Sequence, residues 1–465
     1  MSRKALKQIK RRVTSPTRQI ILSFLVVILI GTVLLSLPFA NQNAPLPFME
    51  VLLVSTSSVC VTGLFPIPIA YQYTIWGQLV ILMLIQIGGL GFLTFLYVLL
   101  SKVQKKLSLR RKMVLQEMLN QSSISDSSLM VRRILSYTFV VQGVGSLLFM
   151  FVFIPEYGVP RGVYYSIFHG ISSFTNAGID VFGASSLMVY QSHFFVLLVT
   201  AVLIFLGGIG FMVWFDVLES LRLQRQSAYT FNTRRFFSKL GLHSKIVLTM
   251  SAFLIVSGTL LLFLSERGNP YTIGQLSMFD QLQNSFFLSI SARTAGFMTF
   301  PVENIHTGTH LILWIFMFIG GSPVGTAGGI KTTTFLISVL MIYNIYKGRK
   351  GIQIFDRKIP ERFIIRSFAI LSVALATIFV ALIVVSFSEE ASFIDLAAEV
   401  MSAFTTVGFG HLTSTLSLIG KTTILILMFF GRVGPITMLI SFASKSQKQK
   451  EKKEVGYPEG ELSLG

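Results

Sequence analysis

Hydrophobic residues along the chain form eight runs long enough to cross a membrane as helices, which takes about 20 mainly apolar residues. The runs cover 19–38, 74–100, 132–154, 192–218, 245–265, 308–345, 363–388 and 418–443. A shorter stretch of mixed apolar and polar residues separates the two runs of each successive pair, at 47–64, 163–179, 278–297 and 393–410. These stretches are too short to cross and return as two spans, so we expect them to be re-entrant segments.

The four short stretches resemble one another and repeat at a nearly fixed interval. Their similar turns centre on Gly63, Gly178, Gly296 and Gly408, which are 115, 118 and 112 residues apart. The spans that follow carry Gly88-Gly-Leu-Gly91, Gly207-Gly-Ile-Gly210, Gly320-Gly-Ser-Pro323 and Gly431-Arg-Val-Gly434. Four copies predict one unit of helix, re-entrant segment and helix used four times. Two spans per unit keep all copies in one orientation, so they can surround an axis along the membrane normal.

Composition and charge agree with a membrane protein. The chain is 52% hydrophobic and 13% charged, whereas soluble domains carry about 25% charged residues. The net charge is +19, and 33 of the 39 Lys and Arg residues lie in five stretches that share one side of an eight-span protein. Positive residues favour the cytoplasmic side, which predicts that both termini are cytoplasmic and explains the basic charge without nucleic acid. The single cysteine, Cys60, excludes an internal disulfide.

The re-entrant turns suggest a chemistry for the central axis. Irregular backbone inside a membrane is tolerated only where it is buried or lines a cavity, and rings of carbonyls there can replace the water shell of a cation. Glycine permits the backbone angles that turn a carbonyl inward. We therefore predict an ion-selectivity filter, which binds a cation through main-chain carbonyls; the resemblance described below implies that this ion is K+. Its residues are Cys60, Val61, Thr62, Gly63, Thr175, Asn176, Ala177, Gly178, Thr294, Ala295, Gly296, Thr405, Thr406, Val407 and Gly408.

The second span of the third unit contains a segment that cannot sustain a helix. Residues 320–331 hold five glycines and a proline. An unwound stretch below a filter can plug a pore, and Arg432 lies at the equivalent depth of the fourth unit, where a charge is costly and usually functional. The predicted gate comprises Gly320, Gly321, Ser322, Pro323, Gly325, Gly328, Gly329, Lys331 and Arg432. We interpret the glycines of 88–91 and 207–210 mainly as close helix packing. For Arg293, pairing with a nearby acid competes with direct repulsion of ions.

These motifs resemble the Ktr/Trk/HKT superfamily of potassium transporters over nearly the whole chain. The resemblance rests on Thr62-Gly63-Leu64, Arg293-Thr-Ala-Gly296-Phe, Gly328-Gly-Ile-Lys331 and Gly431-Arg432-Val-Gly-Pro435, in that order. Eight spans and the closing Tyr457-Pro-Glu-Gly460 are most similar to the membrane subunit of Ktr systems. The resemblance implies that 320–331 is an intramembrane gating loop with Arg432 opposite it. Gly63 stands where a serine accompanies sodium preference in plant relatives, which favours potassium.

The resemblance also implies partners and a location. It implies a homodimer with one pore in each protomer, a cytoplasmic ring of nucleotide-binding regulatory subunits of RCK or KTN type, and contact with membrane lipids. It implies potassium uptake across the bacterial cell membrane, with sodium as a stimulating ion and no cofactor bound by this chain. Having one glycine in each turn, the chain lacks a full potassium-channel filter, so we expect weaker discrimination against sodium.

The sequence predicts an all-α integral membrane protein in which four M1–P–M2 units surround a pore with pseudo-fourfold symmetry. The predicted segments are an N-terminal stretch 1–18, repeat 1 (19–101), linker 102–131, repeat 2 (132–219), linker 220–244, repeat 3 (245–346), linker 347–362, repeat 4 (363–443) and tail 444–465. A sodium-preferring or poorly selective pathway is the main alternative. An alternating-access transporter would predict inverted repeats, and an intramembrane hydrolase would need a Ser/His or paired Asp site that the sequence lacks.

Overall fold

The computed structural model describes residues 16–91, 127–183, 186–226, 232–349, 351–435 and 437–438. The helices of the first two units are α1 (Pro16–Ser36), α2 (Phe48–Cys60), α3 (Ile69–Gln72), α4 (Ile75–Leu90), α5 (Ser127–Tyr157), α6 (Val159–Thr175), α7 (Phe194–Gly208) and α8 (Phe211–Gln226). Those that follow are α9 (Thr233–Lys239), α10 (Leu242–Glu266), α11 (Met278–Ser291), α12 (Thr307–Phe318), α13 (Thr332–Tyr346), α14 (Glu361–Ser388), α15 (Phe393–Thr405) and α16 (Leu418–Val433). Between α13 and α14, strands β1 (Ile352–Ile354) and β2 (Arg357–Ile359) form an antiparallel hairpin.

The first helix of each unit is long and continuous. Among the described residues, α1, α5, α10 and α14 contain four apolar stretches long enough to span a membrane. The predicted runs therefore correspond to real helices at the start of every unit, which makes the chain a mainly helical, multi-pass membrane protein. Parts of the predicted N-terminal stretch and of linker 102–131, the tail 444–465 and the motif at 457–460 lie outside the described residues.

The second helix of each unit is broken, and the prediction of continuous second spans was wrong in this respect. The helices α4 and α16 end just before Gly91 and Gly434, which have φ angles of +79° and +92°. In the second unit, α7 and α8 meet at a bend of 98° beside Gly210, whose φ is +91°. A positive φ is incompatible with a right-handed helix, and glycine adopts it readily. A break was predicted only in the third unit, where no helix lies between α12 and α13.

The units contact one another in a closed ring. In every unit the first helix packs against the short helix, namely α1 on α2, α5 on α6, α10 on α11 and α14 on α15. The second helix of each unit packs against the short helix of the next, namely α4 on α6, α7 on α11, α12 on α15 and α16 on α2. The last of these pairs joins the fourth unit to the first. The short helices are thereby enclosed, and the turns that follow them meet at the centre.

Candidate ion-conducting site

The four predicted filter glycines converge on one point. A Cβ added at Gly63 would lie 2.8 Å from the carbonyl oxygen of Ala177, in the second unit. A Cβ at Gly178 would clash with the carbonyl of the third unit, one at Gly296 with that of the fourth, and one at Gly408 with that of the first; the carbonyls belong to Ala295, Val407 and Thr62. The contacts therefore close a ring in chain order, 63, 178, 296, 408 and back to 63. None of the four positions has room for a side chain.

Each turn has the same unusual backbone. Besides its glycine, every turn has a non-glycine residue two positions earlier in the left-handed region, at Val61 (φ 58°), Asn176 (φ 62°), Thr294 (φ 74°) and Thr406 (φ 54°). A left-handed conformation costs an L-residue about 1–2 kcal/mol, and such strain is found where a structure holds the backbone for a purpose. Positive φ values that alternate with negative ones turn successive carbonyls toward one side. The geometry suits a pathway lined by main-chain oxygens.

The predicted filter residues lie together at the carboxyl ends of the short helices. Cys60, Thr175 and Thr405 are the last residues of α2, α6 and α15, and their side chains are buried. The residues immediately before the glycines are Thr62, Ala177, Ala295 and Val407, which are all at most 1% exposed. The carbonyl end of a helix carries partial negative charge. Four such ends facing one point favour a cation there.

The loop between α12 and α13 is docked on the break in the second unit. The amide N–H of Ser322 donates to the carbonyl of Gly208 at 2.9 Å, and that of Thr326 donates to Gly207 at 3.2 Å. In return, the N–H of Phe211 donates to the Val324 carbonyl at 3.0 Å. The last carbonyls of a helix have no partner within it, so the end of α7 offers them to the loop. The break and the loop are therefore complementary.

Arg432 joins the loop to two other units. Its guanidinium donates to the carbonyl of Thr326 in the loop. It also donates to the carbonyls of Gly88 and Gly89 at the end of α4, and the distance to the Gly89 carbonyl is 3.2 Å. Lys331 instead turns back on the loop, and its ammonium donates to Ala327 at 2.6 Å and to Gly328 at 3.3 Å. Both cations are thus held by main-chain carbonyls, and the side chain of Arg432, in the fourth unit, links the loop to the end of α4 in the first unit.

The loop also touches the inner ends of the predicted filter turns. The hydroxyl of Thr326 donates to the carbonyl of Phe174 at 3.2 Å and lies 3.2 Å from the side-chain oxygen of Asn176. A Cβ at Gly328 would clash with Thr406, and one at Gly320 would lie 3.1 Å from the side chain of Thr294. Three of the four turns are therefore in contact with the loop. Thr326 was not among the predicted gate residues, because a single threonine among glycines gives no distinctive sequence signal.

Three features limit the families to which this chain can belong. They are a ring of strained main-chain turns, a broken helix in each unit and an interposed loop. Residues 2–453 match the TrkH family, which is described as a family of cation transport proteins. The chain belongs to the TrkH family. It is 36% identical to the potassium/sodium uptake protein NtpJ of Enterococcus hirae over 99% of both chains. It is 35% identical to the Ktr system potassium uptake protein B of Bacillus subtilis over 97% of both chains.

A solved structure supports the fold. The crystal structure of the potassium transporter TrkH from Vibrio parahaemolyticus superposes with a TM-score of 0.70 at 18% identity, over 90% of this chain and 84% of that one. The similarity to Ktr and Trk proteins that the motifs indicated is therefore confirmed at the level of family and fold.

The structure adds supporting residues to this TrkH-family chain that the sequence analysis missed. In every unit the carbonyl of a buried serine in the short helix accepts an N–H from the turn, at distances of 2.9–3.2 Å; the pairs are Thr62 with Ser57, Ala177 with Ser172, Gly296 with Ser291 and Val407 with Ser402. The serine hydroxyls also hold the turns. The hydroxyls of Ser57 and Ser402 accept from the N–H groups of Gly63 and Gly408, both at 3.0 Å. A serine five or six residues before each glycine is the signal that could have revealed them.

The glycines of the broken helices allow close packing, as predicted, and their segments also accept hydrogen bonds. Cβ atoms at Gly88, Gly207 and Gly431 would collide with carbonyls of the short helix in the same unit, those of Val59, Phe174 and Phe404. Each of these carbonyls belongs to the residue four positions before the filter glycine. The packing interpretation is therefore correct for 88–91 and 207–210. It was incomplete, because the same segments also accept hydrogen bonds from Arg432 and from the loop.

Arg293 is buried, and no acidic side chain of the described residues pairs with it. Its side chain is 7% exposed and donates to the hydroxyl of Ser251 at 3.2 Å. Among the described residues the ion pairs join His411 to Asp395 and Lys421 to Glu50, so the expected pairing of Arg293 with an acid was wrong. The guanidinium lies beside a small cavity that Asn176 and Gly321 also line. Its position is behind the third turn, between the second unit and the loop.

Proposed function

We propose that this chain takes up K+ across the bacterial cell membrane as the membrane subunit of a Ktr-type system. The main-chain carbonyls of the four turns replace water around the dehydrated ion. The observation that carries the proposal is the ring formed by Gly63, Gly178, Gly296 and Gly408, each beside a carbonyl of the next unit. The names of the relatives, a potassium/sodium uptake protein and a Ktr system potassium uptake protein, support the choice of ion.

Uptake by the purified chain tests this assignment. The purified chain would be reconstituted into liposomes of phosphatidylethanolamine and phosphatidylglycerol. Entry of radioactive rubidium would then be measured in competition with K+ and Na+. We expect K+ to compete better than Na+, and Gly63→Ser, whose Cβ would lie 2.8 Å from the neighbouring carbonyl, to narrow that difference. Gly178→Ser, whose Cβ would clash with the carbonyl of Ala295, should instead lose most of its uptake. Gly143→Ser is the matched control, because a Cβ there meets nothing within 4 Å. Equal competition by both ions would favour a poorly selective cation pathway, and no entry even with the regulatory subunit would refute K+ uptake.

We further propose that residues 320–331 form the gate. The proposal is supported by the position of Thr326 and Gly328 against the inner ends of two turns, and by the attachment of Arg432 to Thr326. Loops at a broken helix can exchange one set of partners for another, which provides two states for a regulator to select. Deleting 322–329 should raise the uptake rate above that of the full chain. An unchanged rate in a variant that still inserts and elutes as a folded protein would argue against a gate.

We infer that this chain has two partners, a regulatory subunit and a second copy of itself. Several relatives are named as proteins of a Ktr system, which supports a cytoplasmic ring of nucleotide-binding RCK or KTN subunits below a homodimer. The basic stretches at 222–245 and 347–366 would face that ring if both termini are cytoplasmic. Co-purification with the nucleotide-binding subunit, the mass of the detergent-solubilised complex and reporter fusions at the carboxyl terminus test these three points separately.

A further inference from the structure

A cavity of about 280 Å³ opens on the membrane-facing side between the second and third units. It lies where the beginning of α7, the middle of α10 and the beginning of α11 meet. Its wall is almost entirely apolar and consists of Phe194, Leu197, Leu198, Thr259, Phe279, Leu282, Gln283, Phe286 and Phe287. The rim is lipid-exposed, since the side chains of Phe194, Phe279 and Leu282 are 50%, 60% and 51% exposed. The cavity is distinct from the ion-conducting site, whose residues do not line it.

One polar group inside this cavity has no partner. Gln283 is only 8% exposed, and neither its side-chain nitrogen nor its oxygen makes a hydrogen bond with the described part of the chain. An unpaired amide in an apolar environment is destabilising, and there is no bulk water in the hydrocarbon core of a bilayer to satisfy it. The hydroxyl of Thr259 is already used, because it donates to the carbonyl of Ile255 at 2.7 Å. The cavity therefore presents one unsatisfied amide among hydrocarbon side chains.

We propose that this cavity binds a diacyl phospholipid from the leaflet at which α7 and α11 begin. One acyl chain fills the apolar cavity, and an ester carbonyl accepts a hydrogen bond from the Nε2–H of Gln283. A phospholipid fits both features, since its chain matches the apolar wall and its ester group is an acceptor at the edge of the hydrocarbon. A second copy of the protein fits less well, because the unpaired amide lies inside the recess and is only 8% exposed.

The bound lipid would act as a support for the third short helix. The cavity occupies a gap between α11 and the helices α7 and α10 that enclose it. Interiors without such gaps are close-packed, and side chains that line a gap lose contacts. An acyl chain restores those contacts along α11, the helix that leads to Thr294 and Gly296. This inference does not depend on the identity of the transported ion.

Three variants of the full chain test the proposal. Thr259→Trp fills the cavity, Gln283→Leu removes the amide, and Val256→Trp adds the same ring on the same helix at a position that is 68% exposed and does not line the cavity. Each protein would be purified in a mild detergent and titrated with palmitoyl-oleoyl phosphatidylglycerol. Native mass spectrometry would count bound lipids, and thermal unfolding would be followed with and without the lipid.

We expect the unsubstituted chain and Val256→Trp to bind one phospholipid more than Thr259→Trp does, and to unfold at a higher temperature when the lipid is present. Gln283→Leu should need about tenfold more lipid, as expected for the loss of one hydrogen bond; it also keeps the test valid should Thr259→Trp not fold. Equal binding by Thr259→Trp and the unsubstituted chain would overturn the proposal. So would disulfide-linked dimers formed by Phe279→Cys in the absence of lipid, since they would assign the cavity to a second copy.

Discussion

The four turns proposed as a filter and the breaks in the second helices belong to four similar units of the chain, yet they follow the fourfold repeat to different degrees. The turns are nearly interchangeable, since each has a left-handed residue two positions before its glycine. The breaks are not: each of the other three contains a glycine with positive φ, at 91, 210 and 434, whereas the third unit opens into thirteen residues from Ile319 to Lys331. An ion that must be surrounded requires equivalent turns, whereas a loop that obstructs one pathway needs only one unit to supply it.

The largest effect should come from breaking the symmetry of the turns. In Gly296→Ala the new Cβ would clash with the carbonyl of Val407, and the backbone would have to keep a φ of +76°. Overlap with a backbone atom cannot be relieved by a rotamer change. We expect rubidium uptake to fall at least a hundredfold, which corresponds to about 3 kcal/mol or more.

Gly308→Ala is the control for this loss of uptake, because a Cβ there meets nothing within 4 Å and the position is exposed. It should transport as the unsubstituted chain does. If Gly296→Ala transports at the same rate as Gly308→Ala, the four turns do not surround the ion.

A smaller effect of opposite sign should follow from releasing the loop. Arg432→Gln removes the charged bridge between Thr326 and the carbonyls of Gly88 and Gly89. Hydrogen bonds from charged donors contribute about 1.5–3 kcal/mol each, so the docked state of the loop should lose part of its advantage. We expect uptake without the regulatory subunit to rise about tenfold, since each 1.4 kcal/mol is a factor of ten in a population.

Arg432→Lys provides the graded comparison for this release. Its single ammonium can reach fewer carbonyls than the guanidinium fork, so its uptake should lie between those of Arg432→Gln and the unsubstituted chain. A fall in uptake in Arg432→Gln, with the protein stably folded, would contradict a blocking role for the docked loop.

The turns and the breaks also differ in how well the sequence predicts them. The turns were predictable because a turn centred on glycine recurs four times at nearly constant spacing, and in three copies Thr or Asn stands two positions before the glycine. The interruption at 320–331 was predictable from its glycines and proline. The other breaks were not, because Gly-Gly-x-Gly is also a packing motif and does not reveal which glycine adopts a positive φ. The environment of Arg293 depends on α10, which contacts it through Ser251, a residue 42 positions away.

The breaks themselves can be compared through their glycines. A Cβ at Gly210 would lie 2.6 Å from the carbonyl of Pro323 in the loop, whereas at Gly434 the nearest atom is 3.9 Å away. Both positions have positive φ, so alanine at either one costs about 1–2 kcal/mol in strain, but only Gly210→Ala also displaces the loop. We expect both variants to unfold at lower temperature and only Gly210→Ala to raise uptake, by about threefold, as a shift of about 0.6 kcal/mol gives. If the two variants take up rubidium at the same rate, the break in the second unit does not hold the loop in its blocking position.

The smallest effect on the rate of uptake should come from the serines that hold the turns. In Ser57→Ala the partly buried N–H of Gly63 loses a side-chain acceptor at 3.0 Å, while the carbonyl of residue 57 still accepts from Thr62. Loss of one such bond costs about 1 kcal/mol, so the turn stays formed but its carbonyls are positioned less firmly. We expect uptake to persist while the preference for K+ over Na+ in competition falls about fivefold, as that energy gives. Ser55→Ala is the matched control: Ser55 is equally buried in α2, but its hydroxyl donates to Ile28 at 2.7 Å, away from the turn. If both variants lose stability and neither changes ion preference, the serines support the helices and do not position the turn.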